Sequence, residues 1–290
     1  MNRKEAIKSI TTSTATLALS GTLFSKNSNK NQTINYQLKN NINHAACRWC
    51  YNKIPMLEFL GVAKDIGLKG IDLLKPDEWQ MAIDQGMTCS MSMAGLGIQQ
   101  GFNDPSLHET LFKSYEKVIP EAAGLGIKNI ICFSGNRNGL SDEQGMINCA
   151  HGLKPVVKLA EKYSITIMME LLNSKVNHPD YQCDSTLWGV ALCEMVGSEN
   201  FKLLYDIYHM QIMEGDVIAT IQKYSDYIGH YHTGGVPGRH EIDDTQELYY
   251  PAIMKAIVDT GFKGYVAQEF VPSWEDPLKA LRQSVQICDV

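Results

Sequence analysis

The chain reads as one (β/α)₈ barrel preceded by a polar extension, and three observations predict that class. From residue 44 onward, eight short β-rich runs alternate with longer amphipathic stretches. The runs are near-continuously apolar, as strands buried on both faces are. A helix-to-strand phrase also recurs, as Gly67-Leu68-Lys69-Gly70-Ile71, Gly126-Ile127-Lys128-Asn129-Ile130 and Gly261-Phe262-Lys263-Gly264-Tyr265. Its first glycine supplies a left-handed helix cap, and its lysine suits the negative helix end. A length of 290 residues accommodates such a barrel, which needs about 250. The rival, an open doubly wound sheet, lacks support. No G-x-G-x-x-G follows a strand, and Gly95-Leu96-Gly97 is a lone G-x-G.

Taken in order, residues 1–43 stand apart from the barrel. A basic start (residues 1–8) leads into a weakly apolar Ser/Thr/Ala/Leu-rich stretch (9–24) and then a Ser/Asn/Lys/Gln-rich one (25–43). That is the plan of an export signal followed by a tether. The segment Asn2-Arg3-Lys4-Glu5-Ala6-Ile7-Lys8 resembles a twin-arginine leader, with Lys4 in place of the second arginine. Export to the periplasm is expected, a cytoplasmic chain with a basic tail being the alternative. The barrel domain is assigned to residues 44–290. Its strands are predicted at Ala45–Cys50, Gly70–Leu74, Thr88–Met93, Asn129–Ser134, Ile165–Glu170, Lys202–Asp206, Ile228–His232 and Tyr265–Glu269. Helical spacing shows between them, as in Leu57, Leu60, Ala63 and Ile66, or in Val156, Val157, Leu159 and Ala160.

Composition narrows the partners. The hydrophobic fraction is 44%, enough for a sizeable core, and the net charge is −6. A mildly acidic chain has no electrostatic reason to seek nucleic acid or anionic lipid. No run past the first thirty residues is long and apolar enough to span a bilayer. A small-molecule ligand is expected, and a homo-oligomer is left open. Of eight cysteines, Cys89 and Cys132 lie in apolar runs, where a thiol acts as a small hydrophobe. Cys47-Arg48-Trp49-Cys50 is a C-x-x-C without a second one, which excludes a zinc ribbon; buried free thiols are expected for most.

In such barrels chemistry sits at the carboxyl ends of the strands. Four of the last runs end in a ligand-type residue: Glu170, Asp206, His232 and Glu269, each about one β/α unit from the next. Their side chains are expected to converge above the barrel. Three carboxylates in apolar strands cannot remain unpaired, since desolvation costs several kcal/mol each. A divalent cation resolves this, and three oxygens with one imidazole suit Mn²⁺, Mg²⁺ or Co²⁺. A salt-bridged strand end is the alternative for any one of them. His209, three residues past Asp206, is expected in the loop facing a ligand, the alternative being a capping or surface histidine. Arg239 lies on the glycine-rich loop Gly234–Arg239, where its guanidinium can fork onto a carboxylate or hydroxyl; a solvated loop arginine is the alternative. Arg48 and Trp49 end the first strand and could also face the mouth. His178 and Asp180 are loop residues without an assigned role.

Three segments carry a family resemblance: Glu170-Leu171-Leu172-Asn173, the run Tyr205-Asp206-Ile207-Tyr208-His209-Met210-Gln211-Ile212-Met213-Glu214-Gly215, and Gln268-Glu269-Phe270. They resemble the hydroxypyruvate isomerase-like family of the xylose isomerase-like TIM barrels, which also include the ketose 3-epimerases. The similarity covers roughly residues 44–288. It implies a metal held by Glu170, Asp206, His232 and Glu269, with Glu170 and Glu269 serving as acid and base. His209 and Arg239 match positions that contact substrate oxygens. The implied reaction is proton transfer next to the carbonyl of a small sugar or hydroxy-keto acid, through an enediolate. Bacterial hydroxypyruvate isomerases tend to carry glutamine where this chain has His232, and histidine is the epimerase pattern, so ketose 3-epimerisation is the alternative reaction. Two other classes are weighed. A phosphodiester-cleaving barrel of the endonuclease IV type would need more histidines and a basic face. A catalytically silent sugar-binding barrel would have little use for both glutamates and the full ligand set.

Overall fold

The structure, a computed structural model, describes residues 36–290. The predicted leader and most of the tether lie outside the described residues. Eight strands form the sheet: β1 Asn43–Cys47, β2 Gly70–Leu74, β3 Thr88–Ser92, β4 Asn129–Cys132, β5 Thr166–Glu170, β6 Phe201–Asp206, β7 Ile228–Thr233 and β8 Tyr265–Gln268. Each pairs in parallel with the next, and β8 pairs with β1 through Asn43↔Tyr265 to Ala46↔Gln268, so the barrel closes. Helices follow the strands: α1 Met56–Ile66, α2 Trp79–Asp84, α3 His108–Gly124, α4 Asp142–Lys162 and α5 Thr186–Val196 come first. After β6 there are two, α6 Ile207–Met213 and α7 Val217–Tyr224, then α8 Tyr250–Asp259 and α9 Pro277–Cys288. None of the described helices is long and apolar enough to cross a membrane.

Local chemistry explains the boundaries. The Ser141 hydroxyl accepts from the Gln144 amide and starts α4, which buries Cys149, Leu153, Val156, Val157 and Ala160 against the sheet. Gly67 caps α1 at φ +93°, and the two other glycines of the recurring phrase, Gly126 and Gly261, sit at φ +78° and +81°. All eight cysteines are free thiols; seven are buried and Cys50 is half-buried.

Three expectations need correction. The first strand ends at Cys47, and Arg48–Tyr51 turn into a 3₁₀ helix. The Arg48 guanidinium donates to the carbonyls of Tyr51 (2.5 Å) and Ile54 (2.9 Å), so it braces that turn instead of facing the mouth. His209 is not in a loop, because α6 begins directly after Asp206. The compact unit starts at Gln37, so the boundary placed at residue 44 falls inside it. The Lys39 amide donates to Asp289 Oδ2 (2.9 Å) and Asn41 Nδ2 to the Val290 carbonyl (2.8 Å). Ile42 is buried and Leu38 packs on the core. These contacts are backbone and amide bonds to the distant C-terminus, which a search for apolar periodicity does not register.

Candidate active site

Glu170 and Asp206 are the last residues of β5 and β6, His232 is the penultimate residue of β7, and Glu269 follows β8. All four are buried, and their ligating atoms lie within 4.8 Å of one another. His232 Nδ1 is 3.3 Å from Glu170 Oε1 and 2.8 Å from Glu269 Oε2. Glu170 Oε1, Asp206 Oδ2 and His232 Nδ1 make no well-formed hydrogen bond; their close contacts are ion-pair approaches, with Arg239 Nη2 3.5 Å from Asp206 Oδ2. Orphaned buried polar atoms are costly, and a divalent cation among these three oxygen donors and one nitrogen would satisfy them together. The residues therefore fit such an ion.

Electrostatics tell the same story. Burial, with neighbouring charge, pushes Glu170 up and Asp206 up to about 8. Burial opposes ionisation of Glu269 too, but Arg239 and His232 outweigh it and hold this carboxyl well below the usual range. Burial likewise opposes charge on His232, and Glu269 and Asp72 overcome it, raising its pKa.

Around the cluster, each flanking residue has a local cause. Asp206 Oδ1 accepts from the His209 amide (3.0 Å) and caps α6, which leaves Oδ2 pointing into the cluster. The Asn173 amide donates to His209 Nδ1 (3.2 Å), so the proton of the neutral ring belongs on Nε2. That Nε2 is buried, unpartnered and 3.7 Å from Asp206 Oδ2. Arg239 takes a left-handed backbone (φ +59°) after Gly238. Its Nη2 donates to Glu269 Oε2 (2.6 Å), and its guanidinium lies over the rings of Trp49 (5.3 Å) and Tyr208 (5.5 Å). Trp49 Nε1 donates to the other oxygen, Glu269 Oε1 (2.8 Å). A cavity of about 420 Å³ opens onto the two glutamates, Arg239 and His178; the rest of its wall includes Leu73, Met93, Ile98, Phe133 and Leu172.

The structure thus brings together all six residues singled out from the sequence, with Trp49, expected to face the mouth, and His178, which had no assigned role, beside them. Asp180 stays away, accepting from the Asn138 amide. Sequence reasoning missed a second polar group beneath the cluster. Asp72, in the middle of β2, is fully buried and lies 2.8 Å from His232 Nε2, 3.2 Å from His230 Nε2 and 2.5 Å from Ser90 Oγ. Burial would raise its pKa, but His230 and His232 hold it well below the usual value. Two signals pointed there: an aspartate inside the apolar run Gly70-Ile71-Asp72-Leu73-Leu74, and a second histidine two residues before His232, on the same strand face.

Residues 60–288 match the xylose isomerase-like TIM barrel family. The chain belongs to this family. Hydroxypyruvate isomerase of Escherichia coli (strain K12) is 30% identical over 184 residues, 60% of this chain and 70% of that protein. Among solved structures, one titled AP endonuclease, family 2, from Brucella melitensis superposes with a TM-score of 0.76 at 24% identity, covering 84% of this chain and 98% of the other. D-psicose 3-epimerase from Clostridium cellulolyticum H10 does so with a TM-score of 0.68 at 18% identity, covering 86% and 100%. These structural likenesses show the shared fold. The xylose isomerase-like family member described here has isomerases among its named relatives, and shares its fold with epimerases.

Proposed function

We propose that the chain is a divalent-metal-dependent isomerase of a small α-hydroxy carbonyl compound, hydroxypyruvate or a related hydroxy-keto acid, with Glu170 and Glu269 as its acid/base pair. The observation that carries this reading is the meeting of Glu170 Oε1, Asp206 Oδ2 and His232 Nδ1, buried and without a well-formed hydrogen bond, beside a cavity. Glu170, Asp206, His232 and Glu269 would hold Mn²⁺, Mg²⁺ or Co²⁺. When bound, such a cation supplies Lewis-acid stabilisation of the negative charge that develops on the substrate oxygens.

The chain's own groups do the rest. Arg239 lines the cavity, where its guanidinium can meet a substrate carboxylate or hydroxyl. His209 offers its Nε2–H to a second oxygen. One glutamate removes the carbon-bound proton and the other returns one. Delivery to the neighbouring carbon interconverts aldose- and ketose-type isomers; delivery to the same carbon on the opposite face gives an epimer. Ketose 3-epimerisation is the second reading. It is favoured by His232 and by the cavity, whose volume of about 420 Å³ exceeds what a three-carbon acid fills.

The test is exchange of the substrate's α-hydrogen in deuterated water, with Mn²⁺ present. Hydroxypyruvate, fructose, tagatose, xylulose and psicose are followed by NMR, and the products separate isomerisation from epimerisation. Glu170→Gln and Glu269→Gln should each lose exchange by at least 10² to 10⁴, the usual effect of a lost general base. Absence of exchange with every substrate in the wild type would remove the proton-transfer reading. Wild-type rates in either variant would show that glutamate to be a ligand only.

A further inference from the structure

Below the four strand-end residues lies a buried polar group to which the proposed reaction assigns no role. Asp72 reaches His232 across the barrel lumen, for β2 and β7 are separated along the wall by β8 and β1. Its carboxylate is surrounded by His232 Nε2 (2.8 Å), His230 Nε2 (3.2 Å) and Ser90 Oγ (2.5 Å). All three are 1% exposed or less, as is Asp72 itself.

The backbone is bent to make this contact. The β2–β3 register shifts on both sides of Asp72, and Leu73 beside it has φ +56°. Leucine in that region is strained, and bulges of this kind re-aim side chains next to functional sites. Gly70 has a matching role. A Cβ there would come 2.8 Å from Ser90 Cβ, so glycine clears the space from which Ser90 reaches Asp72.

We propose that Asp72 is a positioning residue, which holds His232 with its proton on Nε2 and so aims the Nδ1 lone pair at the oxygens of Glu170, Asp206 and Glu269. The inference rests on the reading that this cluster takes a divalent cation. An imidazole can offer Nδ1 to a cation only while its proton sits on Nε2, and a buried carboxylate accepting that proton fixes both tautomer and ring angle. The geometry also argues against a second cation between Asp72, His230 and His232. The contacts of His232, His230 and Ser90 are hydrogen-bond lengths, and with the Cys47 thiol at 3.8 Å four donors already converge on one carboxylate.

The experiment uses the full chain, with Zn²⁺ as a diamagnetic stand-in and ¹⁵N-histidine labelling. The wild type should show one imidazole with metal on Nδ1 and a proton on Nε2, a signal absent from His232→Gln. Asp72→Asn should bind Mn²⁺ 10- to 100-fold more weakly, the usual loss for an outer partner of a metal-bound histidine. Raising Mn²⁺ should then restore most of its exchange rate, a split that a merely structural role would not give. Unchanged Mn²⁺ affinity in Asp72→Asn overturns the proposal. So does metal on Nε2, or on both nitrogens, in the wild type, and that measurement stands even where Asp72→Asn fails to fold. A wild type that binds no metal removes the metal-dependent reading as well, whereas metal on the wrong nitrogen removes this inference alone.

Discussion

Glu170 and Glu269 are the same chemical group in different surroundings. Glu269 is held at both oxygens, by Trp49 and by Arg239, while Glu170 Oε1 makes no well-formed hydrogen bond. The grip on Glu269 predicts a specific cost. Trp49→Phe keeps an aromatic face under Arg239 but removes the Nε1–H. A hydrogen bond to a charged group contributes about 1.5–3 kcal/mol, so kcat for α-hydrogen exchange should fall by roughly 10- to 150-fold with little change in melting temperature. A wild-type kcat would show that Arg239 alone orients the carboxylate. Much of this site was legible because each of its four ligand-type residues interrupts an apolar run at its end, where a barrel keeps its chemistry. Asp72 interrupts its run in the middle, so a rule about ends passes over it. Its orientation depends on a bulge, and its partners come from strands far apart in sequence. Trp49 was visible only as a residue near the mouth, since its bond to Glu269 spans the closure of β1 on β8.

At the level of elements, the loops after β7 and β8 are tied to each other at the mouth. The Val271 amide donates to the Arg239 carbonyl (2.6 Å), and the buried Glu241 accepts from the Ser273 and Trp274 amides (2.5 and 2.8 Å). Arg239 is thus held from both sides in its left-handed conformation, which explains how a glycine-rich loop can present one guanidinium reproducibly. The strand–helix alternation was readable from periodicity, and β2 was read to the residue. The end of β1 was not, because apolar Trp49, Cys50 and Tyr51 continue the pattern into a 3₁₀ turn that Arg48 secures through carbonyls. The opposite end of β1 carries the second prediction. A chain starting at Gln37 should keep the full fold, whereas one starting at His44 loses the bonds of Lys39, Asn41 and Asn43 and the burial of Ile42. Three hydrogen bonds, two of them exposed, and one buried aliphatic side chain together amount to about 3–5 kcal/mol. Urea unfolding of the two truncated chains measures the difference, and equal midpoints would show that residues 37–43 add nothing.

For the whole molecule, the crowded carboxylates make stability and cation binding one equilibrium. Asp206 has a folded pKa of about 8 against 3.8 for the free side chain. A group raised in this way contributes stability that is complete below its unfolded value and is lost as the pH rises through the folded one. The metal-free protein should therefore lose stability between pH 6 and 8. A cation takes the ionised carboxylate and offsets that loss, so the rise in melting temperature with Mn²⁺ should be larger at pH 8 than at pH 6. At a hundredfold excess over Kd the stabilisation is about 2.7 kcal/mol, and Asp206→Asn should abolish most of it. A Mn²⁺ effect that is absent, or that shrinks toward pH 8, contradicts the site as described. The bond from Asn41 to Val290 has a further consequence. It brings the start and the end of the compact unit together at the amino ends of the strands, a full barrel length from the glutamates. Anything joined to the chain at Val290, whether a bead, a reporter or a second protein, is therefore attached behind the barrel. The mouth then faces outward, and an immobilised molecule should meet its substrate as freely as one in solution.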